Sequence, residues 1–167
     1  MKTLLPFIFG ILLIPTTTMA TGGAIINWSD PASYKDIKAA IGTQEQFQKQ
    51  TFAELEAYMQ KLAASLPNGQ KLEMTVTNLD LAGYLRTSDT LRGYSDIRVV
   101  KDMYPAKIQF QYRLLDSNGN VLKQGSENLK SMPPGSTASM RFNTNNPLGI
   151  EKRMLKKWFT RVISTRQ

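Results

Sequence analysis

The sequence predicts an α+β fold: a two-layer sandwich in which a mainly antiparallel sheet of four or five strands carries two helices packed on one face. Three observations predict it. Within residues 105–129, Ile108, Phe110, Tyr112 and Leu114 alternate with Lys107, Gln109, Gln111 and Arg113, the pattern of a strand with one dry and one wet face. Asp116-Ser117-Asn118-Gly119-Asn120 then turns the chain, and Val121 onward returns as the second strand of a hairpin. Residues 44–66 and 148–163 repeat apolar side chains at helical spacing and so offer covers for the dry face.

Taken in order, the chain opens with a leader. Lys2 is a short basic start, Leu4 to Ile14 is apolar, and Thr18-Met19-Ala20 puts small residues at the two positions that flank a cut. This predicts a signal peptide over residues 1–20, cleaved after Ala20, and a single mature domain over 21–167 that is periplasmic or secreted. The apolar run is shorter than the about 20 residues of a membrane span. Pro6, Gly10 and Pro15 interrupt it, so no spanning helix is expected.

Ala24 to Trp28 is a short apolar run that fits a first strand, broken by Ser29-Asp30-Pro31. Thr43-Gln44-Glu45-Gln46 fits a capping box, with Thr43 accepting from the Gln46 amide and the Gln46 side chain reaching back. Phe52, Leu55, Met59, Leu62 and Leu66 then mark one helix face, which Pro67-Asn68-Gly69 ends. Leu72, Met74 and Val76 alternate as a strand, but Leu79 and Leu81 fall on the other parity, so the strand either bulges near Asn78 or stops there. Gly83 to Ser95 lacks periodicity and reads as a long loop, followed by a third strand over Ile97–Lys101. Ser131 to Asn146 reads as a second loop. Asn146-Pro147 begins the last helix, with Ile150, Met154, Leu155, Trp158, Phe159, Val162 and Ile163 on its apolar side. The main sheet is expected from residues 70–130.

The composition excludes many chemistries. There is no histidine and no cysteine, which removes Ser–His–Asp and Cys–His catalysis, the common zinc sites, disulfides and iron–sulfur ligation. Gly-rich nucleotide-binding motifs are also missing. No cofactor and no metal are expected. Asp116-x-Asn118-x-Asn120 with Glu127 has a calcium-loop spacing, but Val121 stands where the turn glycine belongs, and the flanks are strands.

Three groups of residues remain as candidates. Asp80, Asp96, Asp102 and Glu127 around Arg98 are structural ion-pair residues or, in a rival reading, the paired carboxylates of a hydrolase acting on an envelope glycan. Asp80 would have buried parity if its strand ran on without a bulge, with Arg98 as its partner. Tyr84, Arg86, Arg92 and Tyr94 set aromatics beside arginines in the expected loop and suit a ligand lip. Lys152, Arg153, Lys156, Lys157 and Arg161 crowd the polar side of the last helix, with like charges four residues apart. Each such pair costs only about 0.2–0.5 kcal/mol, against a gross return of roughly 1.5–3 kcal/mol per buried apolar side chain. Packing wins, and the cations turn outward.

With 21 Lys and Arg against 13 Asp and Glu, the formal net charge is +8. This favours an anionic ligand or envelope component as partner, with Lys152, Lys156 and Lys157 as binding residues. Nucleic acid is not expected of an exported protein. The expected function is that of a non-enzymatic binding or accessory module.

Several pieces together resemble an uncharacterised exported bacterial family, domain of unknown function 3016. They are Trp28 with Asp30-Pro31, Tyr34 and Asp36-Ile37; Leu66-Pro67-x-Gly69-Gln70-x-Leu72; Asp80-Leu81-Ala82-Gly83; Asp96-Ile97-Arg98-Val99; and Tyr104-Pro105. Asp116-x-x-Gly119, Gly125-x-Glu127-x-Leu129 and Glu151-Lys152-x-Met154-Leu155-x-x-Trp158-Phe159 complete the order. The family pattern has an acidic residue just after the Leu129 equivalent, where this chain reads Lys130-Ser131. The resemblance implies secretion and one domain, and it brings no mechanism.

Overall fold

A computed structural model describes residues 22–34, 37–40, 42–90, 93–99, 104–131 and 148–164, with the backbone alone for 87–90 and 93–97. The expected leader, nearly all of the expected second loop (residues 132–147) and Asp102 lie outside the described residues. Among the described residues, six strands and two main helices follow in the order β1 (Gly23–Trp28), α1 (Gln44–Ala63), β2 (Lys71–Asp80), β3 (Tyr84–Thr90), β4 (Gly93–Val99), β5 (Ala106–Leu115), β6 (Val121–Ser131) and α2 (Gly149–Trp158). A π-helical stretch, Phe159–Ile163, continues α2. The fold is α+β, with a mixed four-stranded sheet in the order β1-β2-β5-β6 and a separate two-stranded sheet, β3-β4.

β1 runs parallel to β2, and α1 lies between them in the chain, which makes a βαβ unit. A parallel neighbour needs a long crossover, and the helix provides it. The sheet therefore begins at residue 23, ahead of the span expected for it. β2, β5 and β6 pair antiparallel.

The phase slip in β2 is a bulge. Val76 faces Phe110 and Asn78 faces Gln109, so Thr77 is the extra residue. The bulge returns Leu79 to the buried row opposite Ile108 and turns Asp80 to the other face, opposite Lys107. The condition under which Asp80 would have had buried parity, a strand running on without a bulge, is therefore not met.

The segment expected as a long loop is a hairpin. Tyr84 to Thr90 pairs with Gly93 to Val99, so the third expected strand starts earlier, at Gly93, while the last two residues expected for it, 100 and 101, lie outside the described residues. A two-stranded ribbon satisfies its backbone by cross-strand hydrogen bonds and needs no alternating apolar face, which is why periodicity missed it.

The buried side chains form one cluster. The even-numbered row of β5 and the Leu72, Met74 and Val76 row of β2 belong to this cluster, as do Leu55 and Met59 of α1 and Met154, Leu155 and Trp158 of α2. Trp158 of α2 stands edge-on to Phe110 at 4.7 Å and to Tyr112 at 5.2 Å. Phe52 of α1 stacks on Trp28 of β1 at 4.1 Å, while the Trp28 indole donates to Glu56. Pro31–Ser33 forms a 3₁₀ turn that brings Tyr34 back to the sheet, where its hydroxyl donates to the Val76 carbonyl at 2.8 Å.

At the start of α1 the Thr43 hydroxyl accepts from the Gln46 amide, as the capping box requires. The side chain reaching back is that of Gln44, which accepts from the Ala39 amide and donates to the Ile37 carbonyl. Past the helix, Gly69 has φ +81, and a Cβ there would stand 2.7 Å from the Ser117 Cβ of the β5–β6 turn. That turn is held by Asp116, whose carboxylate accepts from Asn118 and Asn120 and is kept below the usual carboxylate range, first by the Asn120 side chain. The turn is thus a closed hydrogen-bonded hairpin connection. Among the described residues no acidic cluster that could hold a metal occurs.

Candidate functional site

Among the described residues, the most heavily buried charge lies in the first turn of α2. Glu151 is 2% exposed, and its carboxylate accepts from the Ala82 amide at 2.8 Å just past the end of β2. Burial pushes its carboxyl above the usual range, opposed by hydrogen bonds from the Ala82 and Glu151 amides and then by the nearby positive charge of Arg98. Arg98 is itself buried on β4 and donates to the Ala82 carbonyl at 3.5 Å and the Lys38 carbonyl at 3.3 Å. Ala82 therefore offers its N–H to Glu151 and its C=O to Arg98. This small polar node ties α2, the end of β2, the β3-β4 ribbon and the segment before α1 together.

Sequence reasoning missed Glu151, although a signal was present. Residues 151, 155, 158 and 162 share one side of a helix, so Glu151 belongs to the stripe of Leu155 and Trp158. A carboxylate in an apolar stripe is buried with partners or not buried at all. The amide at Ala82 is a long-range partner that spacing does not reveal.

The cations of α2 divide. The Lys152 ammonium pairs with Glu54 of α1 and lies 5.9 Å from the centre of the Tyr58 ring. It is an interhelix contact, against the expectation that it belongs to the outward binding face. Arg153, Lys156 and Lys157 are exposed, and none has an ion pair among the described residues. Arg161 is also exposed.

The remaining candidates are dispersed. Asp80 pairs with Lys107 at 3.6 Å on the face turned away from the buried row. Glu127 lies opposite Phe110, hence on the buried-row side, and its charge reinforces the effect of burial in raising the Tyr112 hydroxyl. These two carboxylates are on opposite faces of one sheet and share no cleft. Asp102 and the side chain of Asp96 lie outside the described residues.

Tyr84 and Arg86 both fall on β3. Tyr84 is half-buried, with its ring centre 4.7 Å from that of Tyr104, and Arg86 is exposed. Arg92 and the side chain of Tyr94 lie outside the described residues, so the ligand lip is represented by its first half alone. In the core, an apolar void of about 10 Å³ lies between Trp28, Leu55, Met59, Val76, Ile108 and Leu155. It has the size of one water and no polar partner for it, so it is a packing defect rather than a ligand pocket. No helix among the described residues is long and apolar enough to cross a membrane.

No curated protein and no solved structure matches the chain. A family model does match, over residues 22–161. The resemblance carried by the ordered motifs is borne out, and the node gives several of them a structural purpose: the Ala82 backbone from the first, Arg98 from the second and Glu151 from the third meet at one point. The chain belongs to the family described as protein of unknown function (DUF3016).

Proposed function

We propose that this is an exported, non-enzymatic envelope protein that binds an anionic surface through Arg153, Lys156 and Lys157. One observation carries the reading: these exposed cations have no ion pair among the described residues, while Lys152 on the same helix is neutralised by Glu54. Like charges at Arg153 and Lys157 are set four residues apart, an arrangement that costs free energy until an anion arrives. Export rests on the basic start, apolar run and small-residue cut site of residues 1–20. The glycan-hydrolase alternative has less support, since Asp80 and Glu127 lie on opposite sides of the sheet.

The test is cosedimentation with vesicles containing anionic lipid against neutral vesicles, at low and high salt. Each cation near such a surface contributes about 1 kcal/mol, so reversing Lys156 and Lys157 together lowers affinity at least about thirtyfold. Binding that ignores salt, or that survives Lys156→Glu with Lys157→Glu, overturns the reading.

A further inference from the structure

We propose that β6 pairs antiparallel with β6 of a second copy of this chain, joining two four-stranded sheets into one. β6 is the outer strand of its sheet, and among the described residues no strand pairs its other edge. It runs eleven residues, Val121–Ser131, and is exposed over most of them. Val121 and Leu122 are exposed at 47% and 45%. A long strand edge offers unpaired backbone donors and acceptors that match another strand.

The occupant is identified by charge complementarity. A two-fold axis normal to the sheet keeps each face continuous, so paired residues must share parity. Lys123, Gly125 and Glu127 are opposite Leu114, Tyr112 and Phe110 of β5, so all three belong to one face. With Gly125 on the axis, Lys123 of each copy stands opposite Glu127 of the other. The same register sets Gln124 opposite Ser126.

An axis at Lys123 or at Glu127 puts that residue against itself, and like charges directly opposite are destabilising. An axis at Gln124 or Ser126 leaves both charges without an opposite. The charges that protect this edge from indiscriminate pairing thus permit one self-complementary register.

Gly125 suits the axial position. A Cβ there would meet the Tyr112 ring at 3.1 Å, so the ring already occupies the space over the strand. Lys123 donates to the Val162 carbonyl, which uses one of the three ammonium donors and leaves two for a carboxylate.

Sedimentation velocity of the purified protein, from micromolar to near-millimolar concentration, tests the proposal. A weak dimer is expected, as suits a small interface. Lys123→Glu and Glu127→Lys should each abolish it, and the charge-swapped double variant should restore it. That recovery has no other source, because the double variant also lacks the Lys123 contact to Val162. Amide exchange of the unsubstituted protein gives a readout without variants: alternate amides between Lys123 and Glu127 should slow as concentration rises. A monomer at every concentration, a dimer indifferent to the single reversals, a double variant as monomeric as the singles, or exchange independent of concentration overturns it.

Discussion

Two buried titratable side chains make the same statement about pH in two different ranges. Tyr34 is buried and donates to Val76, and burial, followed by the charge of Asp30, raises its hydroxyl to about 12. A group raised in the folded state stabilises fully below its unfolded value and loses that contribution as pH climbs through the folded one. The native state should therefore weaken between the ordinary tyrosine range, about 10, and about 12. Tyr34→Phe should remove that limb of the urea midpoint-against-pH curve, while costing about 1 kcal/mol at neutral pH for the lost hydrogen bond.

Glu151 is also raised, so its contribution is largest in acid and declines as pH rises from the usual carboxylate range. Glu151→Gln keeps an acceptor for the Ala82 amide and removes the buried charge. The decline should flatten in that variant, whereas Glu151→Ala should cost about 3 kcal/mol by orphaning the buried Ala82 amide and removing the carboxylate near Arg98. Urea titrations at several pH values check both. Asp116 tells against reading every carboxylate this way: its turn hydrogen bonds lower it, so its contribution fades as pH falls.

At the scale of elements, what was legible depended on whether an apolar face had to be built. β5 and both helices bury a stripe, so Ile108, Phe110, Tyr112 and Leu114, with Leu55, Met59 and Leu155, announce themselves by spacing. Tyr84 to Thr90 carries no such obligation, and its strand was invisible. The bulge was half legible: parity showed that something changes after Val76, but the Phe110 and Gln109 register was needed to show a continued strand. The α1 cap repeats the lesson, since Thr43 was readable and the substitution of Gln44 for Gln46 as the returning side chain was not. Thr43→Ala should cost about 1 kcal/mol of stability in denaturant unfolding. Gly69→Ala should cost more than a compatible substitution would, because φ +81 and the Ser117 Cβ at 2.7 Å both oppose a side chain.

At the scale of the whole molecule, fold class was readable because a half-dry hairpin and two amphipathic helices leave few solutions. The site was less so. The node at Ala82 assembles residues 82, 98 and 151, joined only by tertiary structure, and the exposed cations of α2 could be separated from Lys152 only once Glu54 was known to reach it. The same long reach governs the order of assembly. Gly23 pairs with Lys71 and Trp28 with Val76, so the earliest described strand cannot be completed until a segment far behind it has been made and the helix between them has closed. Loop closure must precede the reward of that pairing. Pulse-labelled refolding should find the β2-β5-β6 amides protected before those of β1, and protection of β1 first would contradict this. A newborn chain would meanwhile display Ile25, Ile26 and Trp28 with nothing to rest on, an interval during which a chaperone has its natural handle.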